Sequence, residues 1–522
     1  MVKDKRFWLV ILGIFLAVAN ITWLVMDTTP PAWDQAAHVR SVVMWSQYYS
    51  GEKNLLETIR SNGGYPPLVY AVTGIFTKLG WLGVDQISLW GTVFLVISVG
   101  GVYVLGGIYS AIFFSLIPII TDYSRTFTLD MPIMAMVIWG YYFWRKSGDF
   151  QKQKWNMAWW VMLVLASLTK LNGFLYFVPM VIYSLLIILK QKKYQRMGTL
   201  ILLGVGWLMA VGWWWVVNWA NIKDYVLGLA GQGEPLTDPQ NLLSLATWFH
   251  YTRLLVLHQF TPILTLIWLG VVIIALRKKT GLRRLIFYWL LVYLIFTVLK
   301  NKEYRFTMPA LFVLAIWFGK GIERLKNLSL KPVWVILCLL IFSYEIFFWW
   351  ENSFSYPIKK PMSWNINLPG LGETDLLGLT NYPLRSYHQD YWPQVTILGD
   401  LVKQKSELKQ DFVHTLVLIN LEEVNDNNLG IYKELYGAKG VEFGSVGSRA
   451  EFKSEEEILA LVSNFDFILV PELNMEPAPY FGINIKAYKQ AIVWVWSNEK
   501  MWTKVGEYEA WGRKLTLFAT RK

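Results

Sequence analysis

The sequence predicts a polytopic α-helical membrane protein, with about eleven transmembrane helices, followed by a C-terminal soluble α/β domain. Three observations carry that expectation. Of the 522 residues, 54% belong to the hydrophobic set and only 16% are charged, well under the quarter or so usual in soluble domains. Apolar runs near the roughly 20 residues a helix needs to cross a bilayer recur as far as Trp350. Beyond that point the runs shorten, and strand-like and helix-like segments alternate. This composition rules out a disordered chain and argues against an ordinary soluble enzyme. The single cysteine, Cys338, rules out an intrachain disulfide framework and a cysteine-based zinc site.

The apolar runs justify the helices in order. The first, Phe7 to Met26, lacks a small-residue cleavage site in the following Asp27-Thr28-Thr29-Pro30, so it reads as a membrane helix rather than a signal peptide. The others are Gln86–Leu105, Gly107–Asp122, Met131–Trp144, Trp155–Thr169, Asn172–Leu189, Met197–Trp219, Trp248–Leu276, Leu285–Leu299, Tyr304–Phe318 and Pro332–Trp350. Residues 86–122 fit two helices only if Gly106-Gly107 makes a very tight turn, and Pro66 to Trp81 reads as an interfacial or re-entrant segment.

Charge orients these runs. The formal net charge is +12, yet 31 Lys and Arg against 15 Asp and Glu precede residue 351, and from residue 351 on there are 18 against 22. Basic character thus belongs to the apolar part, where its partner is lipid phosphate rather than nucleic acid. Twenty of those 31 cluster in five connections, which alternate with the other loops as an eleven-helix chain with a cytoplasmic N-terminus requires. The loops containing Asp34, Thr121–Asp130, Lys170 and Lys300–Arg305, and the whole tail, then lie outside. The expected organisation is a membrane domain over residues 1–350, a Pro-, Gly- and Tyr-rich linker over 351–400 wrapped on it, and an exoplasmic α/β domain over 401–522. In the tail, His414–Asn420 and Phe465–Val470 read as buried strands, Asp426–Tyr436, Ser454–Ser463 and Asn484–Trp496 as helices, and Met501–Tyr508 with Lys514–Thr520 as a closing hairpin.

Ionisable residues at the edge of a membrane domain are costly and therefore informative, and four clusters fall on the outer side. Pro30-Pro31-Ala32-Trp33-Asp34-Gln35-Ala36-Ala37-His38 ends the first helix and starts an interfacial one. Asp34 there is either an N-cap or a functional carboxylate, and His38 lies one helical turn on. Arg125 and Asp130 follow in SRTFTLDMP, either as a salt bridge closing a hairpin or as site residues. Lys170, in LTKLNG, either snorkels to the interface or holds a phosphate. Lys300, Lys302 and Arg305, in KNKEYRF with Glu303 and Tyr304, run against the positive-inside trend and suit either lipid headgroups or an anionic ligand. Tyr65 opens YPPL, which stiffens a wall of such a site. No Walker loop, His-Glu-x-x-His zinc pattern or Gly-x-Ser-x-Gly elbow is present.

In order and spacing, PPAWDQAAH, YPPL, SRTFTLDMP, LTKLNG and KNKEYRF resemble the integral-membrane glycosyltransferases of the GT-C superfamily. The nearest likeness is to bacterial protein O-mannosyltransferase and aminoarabinose transferase types. The resemblance implies a plasma or inner membrane enzyme that moves a sugar from a polyprenyl-phosphate donor to an acceptor hydroxyl outside the membrane, with inversion. It implies Asp34 as general base and Asp130 as a second acidic position that orients the acceptor or joins a divalent-cation site. Arg125, Lys170, Lys300, Lys302 and Arg305 would face the lipid phosphate. Trp33, His38, Tyr65, Glu303 and Tyr304 would face the acceptor or sugar. The resemblance leaves a divalent cation open as the one candidate cofactor, and no metal ligand is assigned. Where many relatives carry a second acid after the first, this chain has Gln35. The rival reading, a transporter or lipid flippase, would place charge at mid-membrane and show internal symmetry; the charges gather at one boundary and no repeat is found.

Overall fold

A computed structural model describes residues 5–61, 64–77, 80, 83–227, 241–276, 282–325, 333, 365–368, 372–375, 391–421, 423–447, 451–473, 485–510 and 512–520. In chain order the described helices are α1 (Lys5–Met26), α2 (Trp33–Tyr49), α3 (Leu55–Ser61), α4 (Leu68–Thr77), α5 (Val84–Gly106), α6 (Ile108–Ser115), α7 (Pro118–Tyr123), α8 (Asp130–Ser147), α9 (Gln153–Ser167), α10 (Val178–Lys190), α11 (Gln195–Val217), α12 (Trp219–Leu227), α13 (Leu245–Leu254), α14 (Pro262–Leu276), α15 (Arg283–Val298) and α16 (Phe312–Arg324). A short antiparallel pair follows, β1 (Asn365–Leu368) and β2 (Gly372–Asp375). The tail then runs α17 (Gln394–Glu407), β3 (Val413–Val417), α18 (Asp426–Leu435), β4 (Val441–Gly444), α19 (Glu455–Val462), β5 (Phe467–Pro471), α20 (Ile485–Ser497), β6 (Trp502–Ala510) and β7 (Arg513–Thr520).

Packing divides the chain into two compact units. The first comprises Met1–Val25, Gly51–Thr73 and Ser88–Tyr387, and the second Met26–Ser50, Gly74–Ile87 and His388–Lys522. The first unit is helical, and its core draws on α5 to α10 and α13 to α16. Among the described residues, Arg6–Met26, Val84–Gly106, Gly173–Lys190 and Gln195–Val217 are long and apolar enough to cross a membrane, and two further helix pairs would do so as bent spans. The outward side chains match lipid rather than water: on α11, Ile201, Leu202, Met209 and Val216 are all exposed. α8 ends on Gly148 in the left-handed conformation (φ 64°), with Arg145 and Lys146 in its last turn complementing the helix dipole.

Three expected spans are corrected. The smallest change is to Tyr304–Phe318, which opens as two 3₁₀ turns with α16 following at 48°. Trp248–Leu276 is not one helix: α13 passes through a π turn at Leu255–Gln259, and α14 restarts at Pro262 at 112° to it. Proline there has no N–H to continue the ladder and is suited to a helix start. Gly107–Asp122 likewise splits into α6 and α7, with Pro118 opening the second. The tight turn expected at Gly106-Gly107 is present, since only Gly107 separates α5 from α6, with φ 83°. The last expected span, Pro332–Trp350, and most of the 351–400 linker lie outside the described residues. α16 approaches its neighbours through glycine: a Cβ on Gly321 would lie 2.5 Å from the Val271 carbonyl oxygen, and one on Gly319 2.7 Å from the Ser110 nitrogen.

The second unit is built on a five-stranded sheet in the order β4-β3-β5-β7-β6. β3 runs parallel to β4 and β5, and β7 pairs antiparallel with β5 and β6. Alternate strand residues face opposite sides. Val413, Val417, Phe467, Leu469, Leu515 and Leu517 pack with α17 and α18. Leu416, Ile468, Val470 and Phe518 pack with α19 and α20. The strands, helices and hairpin expected in the tail are all present; β4 and α17 were not anticipated. α2 also belongs to this unit, where its buried face (Gln35, His38, Val39, Val42, Trp45) packs on α18.

A prediction follows from the α14–α16 contact. Gly321→Val should destabilise the detergent-solubilised protein by about 1–3 kcal/mol through overpacking, read as a lowered thermal midpoint. Gly204→Ala, where a Cβ meets nothing within 4 Å, should leave that midpoint unchanged or slightly raised.

Candidate active site

The first unit holds a buried polar cluster at the ends of its helices. Asp130 is the first residue of α8, a favourable place for a carboxylate beside the helix N-terminus. It is 2% exposed and accepts a 2.6 Å charged hydrogen bond from Lys170 Nζ. Lys170 sits in the turn between α9 and the 3₁₀ segment Gly173–Tyr176. Its ammonium also lies 5.5 Å from the centre of the Phe306 ring. The Phe306 carbonyl accepts from the Tyr176 hydroxyl at 2.7 Å. The 3₁₀ turn Tyr304–Phe306 is therefore held from two sides.

That turn presents the rest of the cluster. The Tyr123 hydroxyl, at the end of α7, donates to the Tyr304 hydroxyl at 3.4 Å. The Tyr304 ring stacks with His258 (centroids 5.7 Å apart, 16° between planes). Gln259 donates to the Tyr304 carbonyl and, at 2.7 Å, to the Thr307 hydroxyl. Arg305 pairs with Glu303. Burial pushes the Tyr123 phenol well above its usual range, Tyr304 adds to this, and Arg305 opposes it. Tyr123 is thus a neutral hydroxyl beside a guanidinium. Arg125, buried, donates from Nε to Asn20 Oδ1 at 3.2 Å and lies over the Trp23 ring. Asn20 in turn donates to Thr92 and Ser124. Buried cations and neutral hydroxyls of this kind suit an oxyanion such as phosphate.

The sequence-expected residues are distributed as follows. Asp130, Lys170, Glu303, Tyr304 and Arg305 come together. Lys170 is not a lone cation, because Asp130 neutralises it; the hairpin pair expected between Arg125 and Asp130 gives way to Lys170–Asp130. Lys302 is 2% exposed, and its ammonium donates to the carbonyls of Leu299 and Lys300 at the end of α15, a helix-terminating role. Lys300 is exposed. Tyr65 is half-buried in the first unit, beside buried Pro66 and Pro67. Trp33, Asp34 and His38 are carried by the second unit. Asp34 is exposed and His38 buried. Asp34 is not the N-cap of α2: that position is Ala32, and Asp34 stands in the first turn.

Asn20, Tyr123, His258 and Gln259 escaped the sequence reading. His258 offered a signal, a titratable residue inside an apolar run; the other three offered none. A divalent cation at Asp130 does not fit this arrangement, since it would meet the Lys170 ammonium 2.6 Å from the same carboxylate. Among the described residues no group of three His, Cys, Asp or Glu side chains is placed to hold a metal.

Two solved structures share this fold. The structure is similar to that of ArnT, the aminoarabinose transferase, from Cupriavidus metallidurans. Against its apo form the TM-score is 0.57 at 12% identity, covering 98% of each chain. Against the form bound to undecaprenyl phosphate it is 0.54 at 14% identity, covering 98% of this chain and 97% of that one. No protein-family model matches the chain, and no curated protein matches it by sequence.

The buried pair generates a test. Lys170→Met leaves Asp130 uncompensated and should cost roughly 3–5 kcal/mol. The double variant Lys170→Met/Asp130→Asn should recover most of that loss. Thermal unfolding of the three variants beside wild type checks this.

Proposed function

We propose that this protein is a multi-pass plasma or inner membrane glycosyltransferase that uses a polyprenyl-phosphate-linked sugar. The observation that carries this reading is the cluster of Tyr123, Tyr304 and Arg305 beside the buried Lys170–Asp130 pair at the helix ends of a GT-C-type fold. One of the two similar ArnT structures is bound to undecaprenyl phosphate, which favours a lipid phosphate as the product released. An acceptor hydroxyl attacks the anomeric carbon from the side opposite the phosphate. The bond from that carbon to the phosphate oxygen breaks, with inversion, and the acceptor proton passes to Asp34 as general base. Arg125 and Arg305 offset the charge growing on the leaving phosphate, and the tyrosine hydroxyls donate to its oxygens. Lys170 acts with Asp130 to hold this constellation, and no step runs through a metal.

In this reading residues 1–350 form the catalytic membrane domain, 351–400 a linker and 401–522 an exoplasmic domain, with the N-terminus cytoplasmic. Sugar transfer by reconstituted protein from a panel of polyprenyl-phosphate and polyprenyl-pyrophosphate sugars tests it. One monophosphate donor should turn over. Asp34→Asn should lower kcat by at least 100-fold, a typical loss for removing a general base, while donor binding persists. Arg305→Ala should weaken donor binding as well as turnover. Full turnover by Asp34→Asn would overturn the assignment of the base.

A further inference from the structure

The helix that carries Asp34 begins with only half of a local cap, the Ala32 N–H donating to Gln35 Oε1 at 3.4 Å. Its N-cap is Ala32, which has no side-chain oxygen to satisfy the first-turn N–H groups, and alanine is among the poorest residues at that position. The preceding Pro30-Pro31 offers carbonyls but no N–H. Beyond that one hydrogen bond, local sequence does little to fix the path of residues 31–34. Two hydrogen bonds from nearly 400 residues away do so. Asn428 Nδ2, in α18, donates to the Pro31 carbonyl at 2.9 Å. Trp33 Nε1 donates to Asn420 Oδ1, in the loop after β3, at 3.0 Å.

The Asn428 anchor is itself fixed. Asn428 is completely buried. Its Oδ1 accepts from Gln394 Nε2 at 2.8 Å, and its backbone N–H donates to the N-cap side chain of Asn425 at 2.9 Å. Gln394 also donates to the Glu423 carbonyl at 2.7 Å, and Asn425 Nδ2 to the Leu421 carbonyl at 2.9 Å. The loop 418–425 leaves the carboxyl end of β3, the edge at which open α/β sheets ordinarily receive a ligand. In this protein that end of the sheet receives the extended segment leading into α2. A further contact, Gln47 Nε2 donating to Glu434 at 2.8 Å, fixes the far end of the same helix.

We infer that Asn420 and Asn428 of the C-terminal domain are positioning residues for Asp34, holding the backbone just before it through Trp33 and Pro31. The domain is then part of the catalytic apparatus rather than an appendage. Asp34 itself is exposed, in the first turn of α2. The inference rests on the reading of Asp34 as general base. Misplacing a reacting group by about 1 Å costs of order 100-fold in rate.

Two readouts test it in the full-length protein. In the transfer assay, Asn420→Leu should lower kcat about 10- to 100-fold, with donor KM within about twofold and the thermal midpoint little changed. Asn420→Asp, which keeps an acceptor for the indole, should restore most of that loss. Trp33→Phe should resemble Asn420→Leu, and the double variant should be no worse than either. Equal losses in Asn420→Leu and Asn420→Asp, or additive losses in the double variant, would overturn the inference, because Trp33 would then act through substrate alone. Hydrogen–deuterium exchange gives the second readout and needs no activity. Asn420→Leu and Asn428→Ala should each raise exchange in the peptide covering 32–40, with the core strands β3 and β5 still protected. Unchanged exchange in that peptide would overturn it. If wild type turns over no donor, the proposed reaction fails, and exchange alone decides whether the anchors hold the helix.

Discussion

Charge placed inside an apolar helical unit must be compensated where it sits, and the Lys170–Asp130 pair meets that constraint for the site. Either ion alone would carry several kcal/mol of desolvation cost. Together, 2.6 Å apart, they tie the first residue of α8 to the turn after α9. The pair also sets the next layer out. The ammonium lies against Phe306, whose carbonyl is taken by Tyr176. The 3₁₀ turn that presents Tyr304 and Arg305 therefore depends on an ion pair that need not touch substrate. Lys302 follows the same logic, turned back on the end of α15 where the helix leaves carbonyls unpaired.

Much of this fold was legible in the sequence. The tail was read almost element by element, because HTLVLIN and FDFILV are apolar runs of strand length and the helices between them carry one apolar face. β4 (VEFG) was missed because four residues carry no periodicity to detect, and α17 because it begins beside the Pro- and Tyr-rich linker. In the membrane part hydropathy located the apolar runs but not their bends. A hydropathy average is blind to a π turn, and Pro118 and Pro262 were the markers it passed over. The charged positions were equally visible, while their partners were not. Nothing in LTKLNG says that its lysine meets a carboxylate 40 residues earlier, and Tyr123 looks like any other aromatic in an apolar run.

The same limit shaped the reading of Asp34. An aspartate after two prolines looks like a helix cap, and the cap would have been a sufficient explanation of it. The N-cap is instead two residues earlier, at Ala32, and the helix starts at Trp33. Asp34 in the first turn still gains from the helix dipole, but no capping duty accounts for it. Its surroundings are set by tertiary hydrogen bonds from Asn420 and Asn428, which no local pattern encodes.

Gln35 completes that argument. Where the resemblance to GT-C enzymes leads one to expect a second acid, the side-chain carbonyl of Gln35 accepts from the Ala32 N–H at 3.4 Å, half of a capping box. The residue is 9% exposed. A carboxylate could make the same hydrogen bond, but at that depth it would bear the cost of a buried charge, and it would stand next to Asp34 with the same sign. The neutral amide supplies the acceptor without either penalty. The departure from the family pattern is thus a capping device, and it leaves Asp34 as the acid in the first turn of α2.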